Sequence, residues 1–378
     1  MLINKYNIIR NLAILFIACN MLYWLFPIPP LFWRVGLVLL SLFVIVFKER
    51  DYLSCEKAIL FFTLFNLIHF FVSFLWQRPS TTQIGNILCA MLSLSLFVCL
   101  SEKGVMNDKA FFIIGIVLLV GAIMNYYHSE RIALEGLISD NDTDITNNSS
   151  VVFLMLLPML FLMKNNFQKW ASLLVCIFFL ISSAKRGNII AAIIPSILFV
   201  HYTFKDSRRS VLKTIMALGV IVVVSYLTYY WTVSNDFLMY RIEQTTEGNS
   251  SGRNVIYAGA WHTWFNSNNF FHYLFGYGFD GTVHQSSTLY HYAHNDWLEI
   301  LVDYGLLGIP FYLMIFLLLI RPIKRVQTYE MKMVLLSSVF IWLFKSAYSM
   351  GFTEEAFSIM MISMGTALGK YKAEMLEG

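Results

Sequence analysis

The chain has 378 residues, of which 58% are hydrophobic and only 13% are charged, and its mean hydropathy is +0.63. This composition excludes a soluble globular domain and is typical of a protein that crosses a lipid bilayer many times. The formal net charge of +4 gives no reason to expect nucleic acid as a partner.

Apolar stretches of about 15 to 22 residues, the length that covers a bilayer core, recur along the whole chain. Because lipid cannot satisfy an open backbone, each stretch is predicted to be a helix. The fold class is therefore all-α, a polytopic membrane protein with about twelve transmembrane helices and one large extracytoplasmic loop that contains short helices. The predicted spans lie near 8–26, 29–47, 57–76, 84–100, 110–127, 150–164, 170–183, 188–204, 211–232, 297–320, 331–349 and 354–368.

These spans divide the chain into four parts. Residues 1–127 hold spans 1–5 as a scaffold, and 128–232 hold spans 6–9, with an outer loop at 128–149 and a tight outer turn at 182–188. A large outer loop follows at 233–296. Residues 297–378 contain spans 10–12 and the C-terminus.

The basic residues predict the orientation of the spans. Of the 27 lysines and arginines, 19 lie in connections on one side and 6 on the other. By the positive-inside rule, both termini are expected in the cytoplasm. No cleavable signal peptide is expected, because the first apolar run lacks a small-residue cleavage site. No disulfide framework is expected either, since four of the five cysteines lie in spans and Cys55 is cytoplasmic.

The tight outer turn carries two adjacent cations, Lys185 and Arg186, followed by Gly187. Charges on the side that normally avoids lysine and arginine usually have a function. Serines, a glycine and an arginine at a helix N-terminus are also the components of an anion site. The alternative is that both side chains extend to lipid headgroups.

The large outer loop contains Arg241, Arg253 and five of the eight histidines. Its stretch Ser251–Phe265 predicts a helix with an apolar and aromatic face that lies on the membrane surface. The spacing of His291 and His294 suggests zinc, but a site would need a third ligand and supporting contacts, so no metal is predicted.

The segment from His294 to Gly308 marks the point where the chain re-enters the bilayer. A helix here would carry its ionisable groups at its solvent-exposed start, and these groups would fall on two different faces. One face would hold His294, Trp297, Leu298, Leu301 and Gly305, and the other Asp296, Glu299 and Asp303. The alternative is an ordinary helix start, where asparagine and aspartate are good N-caps.

Five cations are therefore expected on the outer side around His294, namely Arg131, Lys185, Arg186, Arg241 and Arg253. Guanidinium groups bind phosphate oxygens in pairs and keep their charge in a partly apolar site. A diphosphate at the membrane surface is the natural ligand. In a compartment without nucleotides, this indicates a polyprenyl diphosphate that carries a sugar.

The order of these elements resembles the O-antigen ligase and polymerase superfamily of bacterial envelope glycosyltransferases. The resemblance covers residues 125–310 in pattern and the remainder only in hydropathy. It is carried by Ser251-Gly252-Arg253, an aromatic helix, Phe275-Gly276-Tyr277-Gly278, His294 followed by Gly305, and the earlier cations Arg131, Lys185 and Arg186. Two features depart from the pattern: Lys185 stands where many members have serine before the arginine, and the first outer loop lacks Asn-Pro-Asn.

The resemblance implies metal-independent, inverting transfer of a glycan from undecaprenyl diphosphate to an acceptor sugar hydroxyl, with no cofactor. Arg186 and Arg253 would bind the diphosphate and stabilise the leaving group, with Arg241, Arg131 and Lys185 as supporting cations. His294 would orient or deprotonate the acceptor hydroxyl, or hold a phosphate oxygen. Asp296 or Glu299 could instead be the base or orient His294.

Within the superfamily, the stretch from His294 to Glu299 looks more like polymerases, which join lipid-linked repeat units. A ligase that transfers the glycan to lipid A-core is the alternative. A flippase for an anionic lipid is more distant, since the sequence shows no symmetric halves, and a non-catalytic scaffold leaves the outer cations unexplained. Expected partners are the undecaprenyl-diphosphate-linked donor, a glycan or lipid-linked acceptor, the bilayer and a chain-length regulator. The expected location is the bacterial inner membrane, with the active site facing the periplasm.

Overall fold

The computed structural model describes residues 2–22, 29–47, 52–138, 149–183, 185–205, 210–233 and 253–377. Within these ranges every regular element is helical, which confirms the predicted all-α class. The first nine helices are α1 (Leu2–Met21), α2 (Pro30–Val46), α3 (Ser54–Ser73), α4 (Thr81–Glu102), α5 (Asp108–Ile138), α6 (Ser150–Leu156), α7 (Asn166–Ser182), α8 (Arg186–Phe204) and α9 (Ser210–Val233). The others are α10 (Arg253–Phe265), α11 (Phe270–Phe275), α12 (Asp296–Arg325), α13 (Tyr329–Tyr348) and α14 (Phe357–Glu377). Short 3-10 turns follow α6 and α11 at Leu157–Leu162, Gly281–His284 and Ser286–Thr288.

Six of the described helices are long and apolar enough to cross a membrane, as judged by length and composition. They are α3, α4, α5 up to Arg131, α8 from Gly187, α12 and α13. Pro30–Val46, Ser150–Leu162, Asn166–Ser182 and Val211–Val223 are shorter apolar segments. The chain is therefore an all-α polytopic membrane protein.

Helix α4 forms the centre of the packing and lies against α2, α3 and α14. Two glycines one turn apart on α14 allow the closest approach: a Cβ at Gly365 would lie 2.5 Å from the carbonyl oxygen of Leu94, and a Cβ at Gly369 would lie 2.4 Å from that of Val98. Small residues at this spacing let two helix backbones touch, which is the usual way to bind helices together in lipid.

Polar contacts close both ends of the bundle. At one end, Lys169 Nζ donates to Tyr202 Oη over 3.2 Å, and Tyr202 Oη donates to Glu330 over 2.8 Å, which joins α7, α8 and α13. At the other end, which we call the His294 end, Arg34 on α2 forms an ion pair with Glu355 just before α14.

Helix α12 is interrupted at Gly305, whose backbone is left-handed with φ of 66°. The break leaves two carbonyl oxygens without their usual partners in the helix, and backbone N–H groups of another segment bond to them. Tyr277 donates to Val302 over 2.8 Å, and Gly278 donates to Asp303 over 3.0 Å. The segment Phe275-Gly276-Tyr277-Gly278 therefore packs against the kink in α12.

The two glycines at this contact lie back to back. A Cβ at Gly305 would lie 2.6 Å from the backbone nitrogen of Gly276, and a Cβ at Gly276 would lie 2.4 Å from the carbonyl carbon of Asp303. No side chain fits at either position.

Gly305→Ala should therefore lower the free energy of unfolding by on the order of 2–4 kcal/mol, because left-handed strain adds to steric overlap. Gly85→Ala is the matched control, since Gly85 lies inside α4 with no heavy atom within 4 Å of the new Cβ. It should stabilise by about 0.5–1 kcal/mol. Thermal melting in detergent measures both changes, and equal melting temperatures for the two variants would contradict the packing described.

Candidate functional site

His294 lies immediately before α12 and has a left-handed backbone, with φ of 51°. The helix begins at Asp296, and Asn295 is its N-cap: the side-chain Oδ1 of Asn295 accepts from the backbone nitrogens of Trp297 (3.0 Å) and Leu298 (3.2 Å). The expectation that His294 shares a helix face with Trp297 is therefore wrong, because the cap turns the chain at the residue between them. The N-cap alternative is confirmed.

Three segments meet around His294. Tyr257 Oη on α10 donates to the backbone oxygen of His294 over 3.1 Å. Asn295 Nδ2 donates to the carbonyl oxygen of Ala347 over 2.8 Å, and Arg253 Nη1 donates to that of Tyr348 over 2.9 Å. Both carbonyls belong to the last turn of α13, where a helix lacks internal donors and favours a cation. The start of α10, the start of α12 and the end of α13 therefore form one corner.

Burial, reinforced by neighbouring cations, keeps the imidazole of His294 neutral. Burial lowers the pKa of His294 to about 4, and the cations Arg253 and Lys185 act in the same direction, while Glu354 opposes them. Lys185 directly precedes α8, so the start of this helix contributes to the same corner. At pH 7 His294 can accept a proton or a hydrogen bond beside two fixed cations.

The structure thus brings together three of the predicted residues, Lys185, Arg253 and His294, from separate parts of the chain. Arg186 is the first residue of α8, but its side chain lies outside the described part of the chain, and Arg241 lies outside it altogether. Arg131 is exposed on α5, which continues to Ile138 rather than ending at 127 as predicted. The roles proposed for these cations stay predictions.

Asp296 lies inside the protein, although the sequence placed the carboxylates at a wet helix end. Its side chain is 1% exposed and accepts three hydrogen bonds. The donors are Gly351 N (2.9 Å), Ser346 Oγ (2.8 Å) and Tyr312 Oη (2.9 Å). The expectation was wrong because it considered one helix alone, whereas a buried carboxylate is tolerated where other segments supply donors.

Glu299 and Asp303 are also buried and hold the loop that leads to His294. Glu299 accepts from the hydroxyl of Thr282 and from the backbone nitrogen of Ala293, the latter over 2.6 Å. Asp303 accepts from the backbone nitrogens of Asp280 (3.2 Å) and Thr282 (3.1 Å). The described contacts of these carboxylates fasten loop 280–293 to α12, so their geometry fits a positioning role better than that of a base.

Two further charged residues, Lys345 and Glu354, lie close together, and the sequence predicted no role for either. Lys345, on the last turn of α13, is 1% exposed; its Nζ donates to Ser349 Oγ over 3.0 Å and lies 3.7 Å from Glu354 Oε1. The available signal was a lysine inside an apolar span, a position where a charge is costly and usually functional.

Among the described residues, no group of three histidine, cysteine, aspartate or glutamate side chains is arranged to hold a metal ion. A separate cleft of about 670 Å³ lies between α3 and α11, lined by Trp76, His69, Phe271, His272, Phe275 and Tyr277 among others. It does not include His294.

Three residues of this corner fall within a match to a known protein family. The family model described as O-antigen ligase matches residues 171–313, a range that includes Lys185, Arg253 and His294. This part of the chain is similar to the O-antigen ligase family. The match confirms the resemblance seen in the sequence and supports the O-antigen ligase and polymerase superfamily, although it covers less than half of the chain. A search of curated proteins found no significant match.

Members of the O-antigen ligase family are glycosyltransferase-like enzymes, and the match indicates an activity of the O-antigen ligase or polymerase type. Lys345 and Glu354 lie beyond the matched range. The family pattern therefore gives no information about them, and only the fold brings them to the corner.

The low pKa of His294 can be measured directly. Diethyl pyrocarbonate acylates only neutral imidazole, so the pH midpoint of labelling at His294, read by peptide mass spectrometry, should lie near 4. Arg253→Gln removes a nearby cation and should move the midpoint upward. The exposed His262 on α10 is the internal control. A midpoint for His294 at the ordinary value of about 6.5 would contradict the buried, cationic environment.

Proposed function

We propose that the chain is a membrane glycosyltransferase that polymerises oligosaccharide repeat units carried on undecaprenyl diphosphate, by an inverting and metal-independent transfer. The observation that carries the proposal is a neutral imidazole, His294, flanked by the cations Arg253 and Lys185 at the ends of helices. The family match supports an activity of this type.

The cations suit a diphosphate leaving group. When the bond between the anomeric carbon and the diphosphate breaks, negative charge develops on the departing oxygen, and fixed cations in a partly buried site stabilise that charge. Arg253 is anchored by its bond to Tyr348, so little reorganisation accompanies the reaction. Arg186 would join these cations, because it directly follows Lys185 at the start of α8. Arg241 and Arg131 would be supporting cations.

His294 suits the acceptor. A neutral imidazole can take the proton of a sugar hydroxyl as the hydroxyl oxygen attacks the anomeric carbon. Tyr257 and Asn295 fix the backbone at His294 and directly after it. Attack on the face opposite the diphosphate inverts the anomeric configuration.

The energy for transfer comes from the lipid-linked donor, so the reaction needs no nucleotide. This fits a site on the periplasmic side of a bacterial inner membrane, a compartment without nucleotides. The positive-inside distribution supports this orientation and cytoplasmic termini, because the lysines and arginines concentrate in the connections at the end away from His294.

Variants of two residues test the site. Arg253→Gln should lower kcat/KM for the lipid-linked donor by about 10²–10³, because one stabilising charge is lost in the transition state. His294→Asn, which tolerates the left-handed backbone, should lower kcat by about 10²–10⁴. His262→Asn is the matched control and should leave the rate unchanged. Glycosidic product is measured by gel or mass spectrometry on protein of equal folded content. Unaltered product from the first two variants would contradict the assignment.

A polymerase and a ligase differ in the acceptor, and the family match supports both equally. Purified protein in vesicles that is given one lipid-linked repeat unit and no other sugar should make a ladder of products if it is a polymerase. A ligase makes product only after lipid A-core is added. Movement of the intact donor across the bilayer without any new glycosidic bond would instead indicate a flippase.

A further inference from the structure

The proposed transfer leaves the His294 imidazole positively charged among cations, which raises the question of what stabilises it. Four described charged or titratable groups act on His294: Arg253 on α10, Lys185 before α8, His291 in the same loop, and Glu354 after α13. Glu354 is the negative one among them. A developing imidazolium at this position therefore depends on that carboxylate.

The fold holds Glu354 close to His294 through backbone contacts. The backbone nitrogen of Gly351 donates to Asp296 Oδ1 over 2.9 Å, and the nitrogen of Glu354 donates to the carbonyl oxygen of Gly351 over 3.2 Å. Asp296 is two residues from His294, so the loop that carries Glu354 is anchored to the start of α12, directly after His294. The bond from Asn295 to Ala347 ties the preceding turn to the same place.

The carboxylate of Glu354 can accept further hydrogen bonds, whereas that of Asp296 already accepts three. Its nearest cation is the ammonium of Lys345 at 3.7 Å, a distance longer than a hydrogen bond. Lys345 is buried, whereas the Glu354 side chain is 23% exposed. Among the described residues, no other donor bonds to the Glu354 carboxylate, while Asp296 receives three. Lys345 therefore holds Glu354 in place and leaves it available to a second partner.

We propose that Glu354 is the positioning carboxylate of His294: it stabilises the imidazolium that forms when the acceptor hydroxyl gives up its proton. This inference rests on the proposed function. In the step, the hydroxyl oxygen forms a bond to the anomeric carbon, and the bond from that carbon to the diphosphate oxygen breaks with its electron pair. The hydroxyl proton moves to an imidazole nitrogen of His294. Glu354 takes the role that the sequence left open between Asp296 and Glu299.

The neighbouring residue provides a matched control. Glu355 differs from Glu354 by one position but points to the scaffold, where it pairs with Arg34 and accepts from Asn20 Nδ2 over 3.4 Å. Replacing either carboxylate by an amide is the same chemical change in the same loop. A loss of loop structure would affect both variants, whereas a loss of charge beside His294 would affect only one.

Three variants, Glu354→Gln, Glu354→Asp and Glu355→Gln, are compared at equal folded content with the lipid-linked donor. Glu354→Gln should lower kcat about tenfold or more, the size that one pKa unit of lost charge stabilisation produces. The donor KM should not rise, since removing an anion from a cationic site does not weaken diphosphate binding. Glu354→Asp should recover part of the rate, and Glu355→Gln should keep the wild-type kcat while it melts at a lower temperature. Equal kcat in Glu354→Gln and Glu355→Gln, or no recovery in Glu354→Asp, would overturn the proposal.

A second measurement does not depend on activity. In an Arg253→Gln background, where the imidazole titrates at a higher pH, diethyl pyrocarbonate labelling of His294 reports its ionisation. Adding Glu354→Gln should shift the labelling midpoint to lower pH, because the imidazolium loses its counter-charge, and adding Glu355→Gln should not. An unmoved midpoint would overturn the pairing. If the wild-type protein makes no glycan but the midpoint shifts, the proposed function fails while the pairing of Glu354 with His294 stands.

Discussion

Three buried carboxylates on the first turns of α12 hold the rest of the site in place. Charged groups in a low-dielectric interior are tolerated only when donors surround them. Asp296, Glu299 and Asp303 take those donors from different segments: the loop after α13, the segment near Thr282, and the backbone that leads to His294. The same contacts that satisfy the carboxylates also fix where the loops run. Removing one carboxylate would leave its buried donors unpaired and would also release the loop that they belong to.

In this arrangement, the residues that hold the loops in place are different from those that carry the charge of the site. The sequence alone did not distinguish these two groups. The inward carboxylates build the corner, and Arg253, Lys185 and Glu354 carry its charge around the neutral imidazole of His294. Tyr257 and Asn295 connect the two sets: Tyr257 donates to the backbone oxygen of His294, and Asn295 donates to that of Ala347 at the end of α13. A neutral imidazole between cations is suited to receive a proton while a negative leaving group departs on the other side.

Much of this was visible in the sequence. Helix content follows from long apolar runs, and the cation pair Lys185-Arg186 was identified by charge against the positive-inside bias. Arg253 and His294 were identified by their positions in and at the end of the large outer loop and by the resemblance to the superfamily. The burial of Asp296 was not predictable, since its donors Tyr312, Ser346 and Gly351 lie 16, 50 and 55 residues away in the chain. Likewise, Glu354 and Glu355 look alike as a pair, and only tertiary packing sends one to His294 and the other to Arg34. Gly305 appeared in the sequence only as the end of a motif. Its left-handed backbone and its contact with Gly276 explain why this position requires a glycine.

We propose that cations from separate segments meet beside one imidazole and hold a diphosphate there. A cryo-electron microscopy map of the protein in lipid nanodiscs with a bound polyprenyl diphosphate tests it most directly. We expect diphosphate density between Arg253, the start of α8 and His294, within hydrogen-bond distance of the guanidinium group. Diphosphate density in the aromatic cleft between α3 and α11, with Arg253 and His294 making no contact to it, would contradict the account.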